Sequence, residues 1–294
     1  MTDNPHQFTR DAWEANAEVW DARMGDDGND FFNVLCWPAL VSLLDASSTG
    51  QKGTAPPLTS SRGSFGSAIP LAGQHILDIA CGNGLTSRRL AALGAQVTAF
   101  DFSANLIERA KARSPSLQSP ILQSPISYHV VDATNEDQLL SLGPQSFDSA
   151  LSNMALFDMA DIETLFRTLP KLLKPGGAFV FSLTHPAFNN AASMHVMEEF
   201  DDGEIKTIYS VKISRYMSIY HAQGLALRGQ PKPQMYFERP LQYYLNLGFQ
   251  NGFVLDGFEE RAFPPDHPQS SPLGWGGKFS EIPPVLVVRL RLKS

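Results

Sequence analysis

Short hydrophobic runs alternate with amphipathic segments through the middle of the chain. Several of these runs are short, apolar and followed by turn residues, which is typical of buried strands. The predicted strands are 75–80, 96–102, 127–133, 147–156 and 178–185. Intervening segments with apolar residues at helical spacing predict helices over 85–94, 103–114 and 161–173. Alternating strands and helices predict a parallel sheet with right-handed crossovers.

Particular residues mark the boundaries of these elements. Gly94 stands just after the first of the three helices, where a left-handed residue commonly closes a helix. Ser103 stands at the N-cap of the second helix. Pro170 is expected to kink or shorten the third helix. The KPGG sequence of 174–177 predicts a turn before the fifth strand.

The two ends of the chain depart from this alternation. Two helices and two strands are predicted there, over 9–24, 30–46, 252–263 and 283–294. Thr9 or Asp11 is placed to cap the first helix. The two C-terminal strands should pair antiparallel, because no helix lies between them.

Long connections divide the chain into regions. Residues 47–68 are rich in Ser, Thr, Gly and Pro and have little to bury, so they predict a flexible insert. The Ser-Pro-x-Leu-Gln repeat within 114–127 is interpreted as an expanded loop. An aromatic-rich section follows the fifth strand and is too long for a plain connection. The predicted organisation is covering helices over 1–46, a flexible insert over 47–73, a ligand-binding core over 74–185, a lid or substrate-recognition insertion over 186–245, and closing strands over 246–294.

Composition narrows the class of protein. The chain of 294 residues has a net charge of −7, which argues against a nucleic-acid binder with a basic face. Its two cysteines, Cys36 and Cys81, predict neither a disulfide framework nor a zinc site, and they fit a reducing compartment. No apolar run approaches the roughly 18 residues of a membrane span. We expect a cytoplasmic protein that acts without nucleic acid, membrane or metal.

A glycine-containing turn joins the first strand to the following helix. It reads Asp78-x-Ala80-x-Gly82-x-Gly84, which differs from the G-x-G-x-x-G fingerprint of dinucleotide sites. A carboxylate just before the turn would repel a pyrophosphate and suits a ligand with a positive charge. The ligand should lie beyond the carboxyl ends of the parallel strands.

Two further acids lie at or near the ends of neighbouring strands. Asp101 ends the second strand, where a carboxylate can accept hydrogen bonds from both ribose hydroxyls. Asp132 ends the third strand, where it could bond an adenine amino group. The implied ligand has a cationic end, a ribose, a base and no phosphate, and S-adenosylmethionine fits that description.

The order of the motifs resembles that of class I S-adenosylmethionine-dependent methyltransferases of the small-molecule kind. The matching segments are LDIACGNG, VTAFDFS, VVDAT, FDSALSNMALFDM and LLKPGGAFVFSLTHP, over about residues 75–186. The family's first motif usually has a glycine where this chain has Ala80. The resemblance implies an α/β, Rossmann-like sheet of seven strands, mostly parallel with the last strand antiparallel, flanked by helices.

The resemblance also implies roles for residues by their positions. Asp78 would orient the amino end of the cofactor, and Asp101 would bind its ribose. Asp132 would hold the adenine edge, and Asn153 would line the path toward the sulfonium. The full set of implied cofactor-binding residues is Trp20, Asn33, Asp78, Ala80, Gly82, Gly84, Asp101, Phe102, Asp132, Ala133, Asn153 and Met154.

The acceptor side of the site is less defined by the sequence. His185 follows the fifth strand, so it should face the pocket and could act as a general base. It could equally be a satisfied polar residue that braces the insertion. Aromatic side chains of the insertion could form an acceptor pocket or simply pack its own small core. The candidates are Tyr216, Tyr220, His221 and Tyr236.

Three functions follow from these observations. The first is methyl transfer to a nitrogen or oxygen of a small molecule, a specialised metabolite, with S-adenosylhomocysteine as product; the acidic balance slightly favours an amine. The second is a protein that binds the cofactor without methylation and guides a rearrangement or cyclisation or binds a partner. The third, methylation of RNA or protein, is disfavoured because the Asn/Asp-Pro-Pro-aromatic signature is absent after the fourth strand.

Overall fold

The computed structural model describes residues 4–45, 70–114 and 126–293. The predicted flexible insert lies outside these residues except for its last four positions, and most of the Ser-Pro repeat also lies outside them. The helices are α1 Pro5–Met24, α2 Trp37–Leu44, α3 Leu85–Ala92, α4 Ala104–Arg113, α5 Glu136–Leu140, α6 Glu163–Leu172 and α7 Leu241–Gln250. The strands are β1 His75–Ile79, β2 Gln96–Asp101, β3 Ile126–Val130, β4 Phe147–Asn153, β5 Leu173–Thr184, β6 Ser193–Asp201, β7 Ile205–Ile213, β8 Tyr220–Gly224, β9 Gln234–Glu238, β10 Phe253–Arg261 and β11 Val285–Leu292.

Seven of the described strands form one sheet in the order β10-β11-β5-β4-β1-β2-β3. The first five strands in sequence pair parallel to one another. The last strand, β11, lies between β5 and β10 and is antiparallel to both. This arrangement confirms the predicted mostly parallel, seven-stranded sheet with an antiparallel last strand. It also brings the carboxyl ends of β1, β2 and β4 to one edge, where a ligand is expected.

Buried apolar side chains cover both faces of this sheet. On one face, Phe166 of α6 packs edge-on against Phe179 of β5, with ring centroids 5.5 Å apart. On the other face, Leu40 of α2 and Leu90 of α3 join a second buried cluster. Helices therefore flank both sides, as the alternation of elements predicts.

Several boundaries differ from the sequence-based prediction. Helix α1 begins at Pro5 and is capped by Asn4, whose side chain accepts from Gln7 N at 3.1 Å. The expectation of a cap at Thr9 or Asp11 is therefore wrong, because proline is favoured in the first turn and Asn4 precedes it. The second N-terminal helix opens as a π-helical segment, Phe31–Cys36, before α2.

The KPGG sequence lies inside β5 rather than in a separate turn before it. The register moves from Phe147↔Leu173 to Ser149↔Ala178, so five steps of β5 face two steps of β4. Such an irregularity is a bulge, and the positive φ of 74° at Gly176 makes it possible. Pro170 lies within α6, which ends two residues later at Leu172.

The long section after β5 contains two antiparallel hairpins, β6–β7 and β8–β9. Helix α7 follows and packs against the main sheet, so the boundary drawn at residue 245 falls inside this helix. Among the described residues, no helix has both the length and the apolar character needed to cross a membrane.

Candidate functional site

A pocket of about 700 Å³, counted with its mouth, lies over the carboxyl ends of β1, β2 and β4. The turn after β1 forms its floor, and helix α1 covers it through His6, Thr9 and Trp13. The pocket therefore lies where the sheet topology predicts a ligand.

The turn between β1 and α3 is built from residues with positive φ. Ala80 has φ 54°, Gly82 has φ 56° and Gly84 has φ 75°. Ala80 and Gly82 line the pocket. A non-glycine residue in this region is strained, and such strain is concentrated at functional sites. Gly84 serves packing instead, because a Cβ there would lie 2.6 Å from the Tyr128 hydroxyl.

Asp101 lies at the end of β2 and is 4% exposed. Its Oδ2 accepts from Gly82 N at 3.0 Å and its Oδ1 accepts from Ser103 N at 2.9 Å. Burial raises the pKa of this carboxyl to about 6, although these backbone hydrogen bonds oppose the rise. A carboxylate has about four acceptor positions. The side chain can therefore bind further donors in the pocket.

Asp78 lies behind the turn rather than on the pocket wall. It is 1% exposed, and its Oδ2 accepts from the Ser87 hydroxyl at 2.5 Å. Burial and the charge of Asp101 raise the pKa of Asp78 to about 7. Two buried carboxyls therefore stand close together beneath and beside the pocket, which suits a cationic ligand.

Asp132 stands two residues beyond the end of β3 and lines the pocket. Its Oδ1 accepts from Thr134 N and Oγ1, and its Oδ2 lies 2.7 Å from His6 Nε2. Burial alone would raise the pKa of Asp132, but these hydrogen bonds and the histidine lower it overall. The contact with His6 fastens the start of α1 to the edge of the sheet.

The opposite wall follows the end of β4. Asn153 accepts a hydrogen bond from the Ser182 hydroxyl at 2.8 Å through its Oδ1. Met154 has a positive φ of 53° and donates its backbone N–H to Ser182 Oγ. The buried Asp158 completes this wall, two residues beyond Leu156. The strained backbone at Ala80 and Met154 thus faces the pocket from two sides.

Most of the predicted cofactor-binding residues come together in this pocket. Those on its wall are Trp20, Ala80, Gly82, Asp101, Phe102, Asp132, Ala133, Asn153 and Met154. Asn33 lies elsewhere, on the surface, where its amide bonds Asp27 O and the Arg89 guanidinium. The expectation that Asn33 joins the site is therefore wrong, because its hydrogen bonds serve the contact between the N-terminal helices and α3.

His185 is also absent from the pocket wall. Its Nδ1 accepts from Ala187 N and Phe188 N, and its Nε2 lies 3.0 Å from Glu260 Oε1. Burial lowers the pKa of this imidazole, while Glu260 opposes that change. The expectation that His185 faces the pocket is therefore wrong, and both ring nitrogens are occupied in bracing the end of β5.

The predicted acceptor residues do not line the pocket directly. The Tyr216 hydroxyl accepts from Leu241 N at 3.2 Å and so supports the start of α7. Tyr220 packs under the Arg215 guanidinium, and His221 is exposed beside the Phe237 ring. The Tyr236 ring lies 5.9 Å from that of Phe157, the residue before Asp158 of the pocket wall. The expectation that these four residues shape an acceptor pocket stays a prediction.

Five pocket residues whose side chains can form hydrogen bonds were not predicted, namely His6, Thr9, Trp13, Thr134 and Asp158. The helical pattern could have predicted Trp13, because it lies two turns before Trp20 on the same helix. In the structure the two rings meet edge-on, with centroids 5.0 Å apart. Asp158 follows β4 within the quoted FDSALSNMALFDM segment. Its burial was the missing signal, because a short loop gives no periodicity from which burial can be read.

The residues present fit S-adenosylmethionine. The charged or titratable side chains on the described pocket wall are Asp101, Asp132, Asp158 and His6, with neither lysine nor arginine. Such a wall suits a cationic, phosphate-free nucleoside. Asp101 offers carboxylate oxygens at the end of β2, and the positive φ values at Ala80 and Gly82 let the backbone approach a ligand closely.

Comparisons with known proteins agree with this reading. A family model described as a methyltransferase domain matches residues 77–181. The ubiquinone biosynthesis O-methyltransferase of Xanthomonas euvesicatoria is 37% identical over 114 residues, 39% of this chain and 44% of that protein. The corresponding protein of Coxiella burnetii is 34% identical over 41% of this chain and 47% of its own length. The chain thus spans less than half the length of these curated relatives.

A solved structure gives wider coverage. An S-adenosylmethionine-dependent methyltransferase from Mesorhizobium loti is 26% identical, with a TM-score of 0.54, over 75% of this chain and 92% of that one. A 1,6-didemethyltoxoflavin-N1-methyltransferase from Burkholderia thailandensis, 16% identical with a TM-score of 0.52, shares the fold over 100% of this chain and 92% of its own. The matched methyltransferase domain over residues 77–181, the strand order and the pocket agree with the resemblance of this chain to the class I S-adenosylmethionine-dependent methyltransferases.

Proposed function

We propose that this protein transfers a methyl group from S-adenosylmethionine to a nitrogen or oxygen atom of a small molecule. The observation that carries the proposal is the buried Asp101 beside the Ala80–Gly82 turn, in a pocket whose described wall has acidic groups and no lysine or arginine. In this assignment Asp101 binds the ribose, Ala133 and Phe102 contact the adenine, and Asn153 and Met154 line the side toward the methyl group.

Methyl transfer makes modest demands on the protein. The cofactor supplies an activated methyl group bound to a sulfonium. The chain's task is to hold the acceptor in line with that group and to exclude water, and positioning alone can contribute about 7–11 kcal/mol to the lowering of the barrier. Helix α1 would exclude water, because Trp13 and His6 close the pocket from above.

Two observations bear on whether the methylated atom of the acceptor is oxygen or nitrogen. The curated relatives are named as O-methyltransferases, which favours oxygen. The net charge of −7 slightly favours an amine. A specialised metabolite is the acceptor that we propose.

The proposed function is tested by incubating the purified protein with S-adenosylmethionine and panels of phenols, catechols and amines. Chromatography then measures the S-adenosylhomocysteine that forms. Formation that depends on an added acceptor, with the methylated product found by mass spectrometry, is the expected result. Cofactor binding without any acceptor-dependent product would instead favour a protein that uses the cofactor without methylation.

A further inference from the structure

Asp158 is a buried carboxylic acid without the partners that usually accompany one. It ends the 3-10 segment Leu156–Asp158 and is 8% exposed, yet it lies on the pocket wall. None of the described residues donates a hydrogen bond to its Oδ1. Buried carboxylates are normally paired or hydrogen-bonded, so an unpartnered one that borders a ligand pocket calls for a ligand group.

The nearest buried cation does not neutralise this carboxyl. Arg239, which follows β9 and is 7% exposed, donates instead to backbone carbonyls on both sides of Asp158. Its Nη1 bonds Leu156 O at 3.3 Å, and its Nη2 bonds Met159 O at 2.8 Å and Ala160 O at 2.9 Å. Arg239 therefore fixes the backbone that carries Asp158 and leaves the carboxyl oxygens to the pocket.

Within the described part of the chain, the other elements around Asp158 add no positive charge that pairs with it. Asp101 faces it from β2, and its charge, together with burial, raises the pKa of Asp158 well above the ordinary value. Tyr236 of β9 and Tyr244 of α7 also face it, and the charge of Asp158 contributes to the raised pKa values of both phenols. Burial and the charge of Asp101 thus favour the protonated form of Asp158, and a cationic group in the pocket would favour its ionised form.

We propose that Asp158 accepts the proton of the methyl acceptor, which makes amines and hydroxyl compounds the substrates and excludes carboxylates. This inference rests on the proposed methyl transfer and specifies its acceptor. The acceptor's N–H or O–H donates to Asp158 when bound. An acceptor that is already anionic would meet Asp101, Asp132 and Asp158 around the same pocket and be repelled.

The step balances within the pocket. A lone pair of the acceptor nitrogen or oxygen forms the new bond to the methyl carbon, while the bond from that carbon to the sulfonium sulfur breaks and leaves its electron pair on sulfur. The acceptor's proton passes to the Asp158 carboxylate and then to water. A positioned base of this kind contributes about 10²–10⁴-fold to rate.

The first part of the test separates this inference from the proposed function. S-adenosylhomocysteine is titrated into the wild type, Asp158→Asn and the exposed-site control Asp266→Asn by calorimetry. We expect all three to bind alike, because Asp158 serves the acceptor. Failure of the wild type to bind would overturn the proposed function itself. Loss of binding in Asp158→Asn alone would place this residue in the cofactor site and overturn the inference.

The second part measures turnover with benzylamine-type amines, catechols and benzoates as acceptors. We expect product from amines or hydroxyl compounds only, and a kcat about 100-fold or more lower in Asp158→Asn. The wild-type rate should rise with pH through a raised apparent pKa, and this dependence should be absent from Asp158→Asn. An unchanged kcat, a preference for benzoates, or no turnover of any amine or hydroxyl compound would overturn the proposal.

A stability measurement distinguishes a catalytic role of Asp158 from a purely structural one. Asp158→Asn removes an unpartnered buried carboxyl, so its melting temperature at pH 8 should equal or exceed that of the wild type. The matched contrast is Asp21→Asn, because Asp21 is buried but bonds Arg113 and Asn83, and this variant should melt lower. A fall in Asp158→Asn as large as that in Asp21→Asn would show that Asp158 supports the fold instead.

Discussion

Ala80 and Met154 hold positive φ values of 54° and 53°, and both line the pocket. The sequence predicts the turn at Ala80 from its glycine neighbours, but it gives no sign that Met154 adopts the same conformation. Met154 is held there because its N–H donates to the Ser182 hydroxyl, and Ser182 lies on the neighbouring strand β5. A strained backbone conformation of this kind persists only because a tertiary contact holds it.

Substitution of Ala80 tests whether the turn serves a ligand. Ala80→Gly should bind S-adenosylmethionine like the wild type, since glycine adopts positive φ freely. Ala80→Val places a β-branched side chain in the left-handed region, which costs more than about 1–2 kcal/mol in unfolding free energy. We expect it also to bind at least about tenfold more weakly, which is about 1.4 kcal/mol. Urea unfolding and calorimetry measure both effects, and wild-type binding by Ala80→Val would contradict the assignment.

The position of His185 after a strand could be predicted from the sequence, but the direction of its side chain could not. Its position after β5 follows from the hydrophobic pattern, but the direction of its side chain depends on Glu260 of the distant strand β10. Asn33 is similar, because Arg89 of α3 accounts for its orientation. Position along an element can be predicted from the sequence, whereas the choice of hydrogen-bond partner requires the tertiary structure.

At the scale of elements, helix α1 is the cover of the pocket. Glu14 of α1 accepts from Ala104 N at 2.7 Å and Asn105 N at 3.3 Å, at the N-terminus of α4. A carboxylate at a helix N-terminus satisfies free N–H groups and interacts favourably with the helix dipole. Asp21, near the other end of α1, bonds Arg113 of α4. The cover is therefore fastened to α4 at two places, which the amphipathic pattern alone does not indicate.

Loss of the first of these contacts should loosen the cover. Glu14→Gln removes a charge-assisted contact worth about 0.3–1 kcal/mol. We expect amide hydrogen exchange in α1 to accelerate and S-adenosylhomocysteine to dissociate about two- to fivefold faster, as that energy implies. Glu18→Gln is the control, because Glu18 is 83% exposed and only approaches Arg109 at 3.7 Å. Equal exchange and dissociation in the two variants would show that α1 does not gate the pocket.

At the scale of the whole molecule, buried carboxyls govern the response to pH. The pKa of Asp78 is raised to about 7 and that of Asp101 to about 6, both chiefly by burial, and burial also raises the pKa of Asp158 well above its ordinary value. The folded protein therefore holds protons that an unfolded chain, with an Asp pKa of 3.8, has already released. The contribution of these carboxyls to stability therefore falls as the pH rises from about 4 to 7, whereas the lowered pKa values of His75 and His185 give a smaller opposing contribution.

We expect the urea midpoint of the ligand-free protein to be higher at pH 5 than at pH 8. Asp78→Asn should reduce that difference, because it removes one of the raised carboxyls, whereas Asp266→Asn should leave it unchanged. Denaturation followed by fluorescence at both pH values measures the effect. A midpoint that increases from pH 5 to pH 8 would contradict the account of the buried acids.

The fold was predicted more completely than the site. The alternation of strands and helices specified the sheet, because apolar runs must be covered on both faces and right-handed crossovers then leave few topologies. The proposed role of Asp158 was not predicted, because Arg239 reaches the backbone beside Asp158 only after two hairpins bring β9 next to the segment that follows β4. Contacts across such sequence distances have no local pattern.

The central claim is that the pocket binds S-adenosylmethionine through Asp101, and a calorimetric titration tests it most directly. S-adenosylmethionine and S-adenosylhomocysteine are titrated into the wild type, Asp101→Asn and Asp266→Asn. The account predicts binding of both ligands to the wild type and to Asp266→Asn, and affinity weaker by about 10- to 100-fold in Asp101→Asn, as expected for loss of hydrogen bonds to a charged group. A well-folded wild type that binds neither ligand, or an Asp101→Asn variant that binds both as tightly as the wild type, would contradict it.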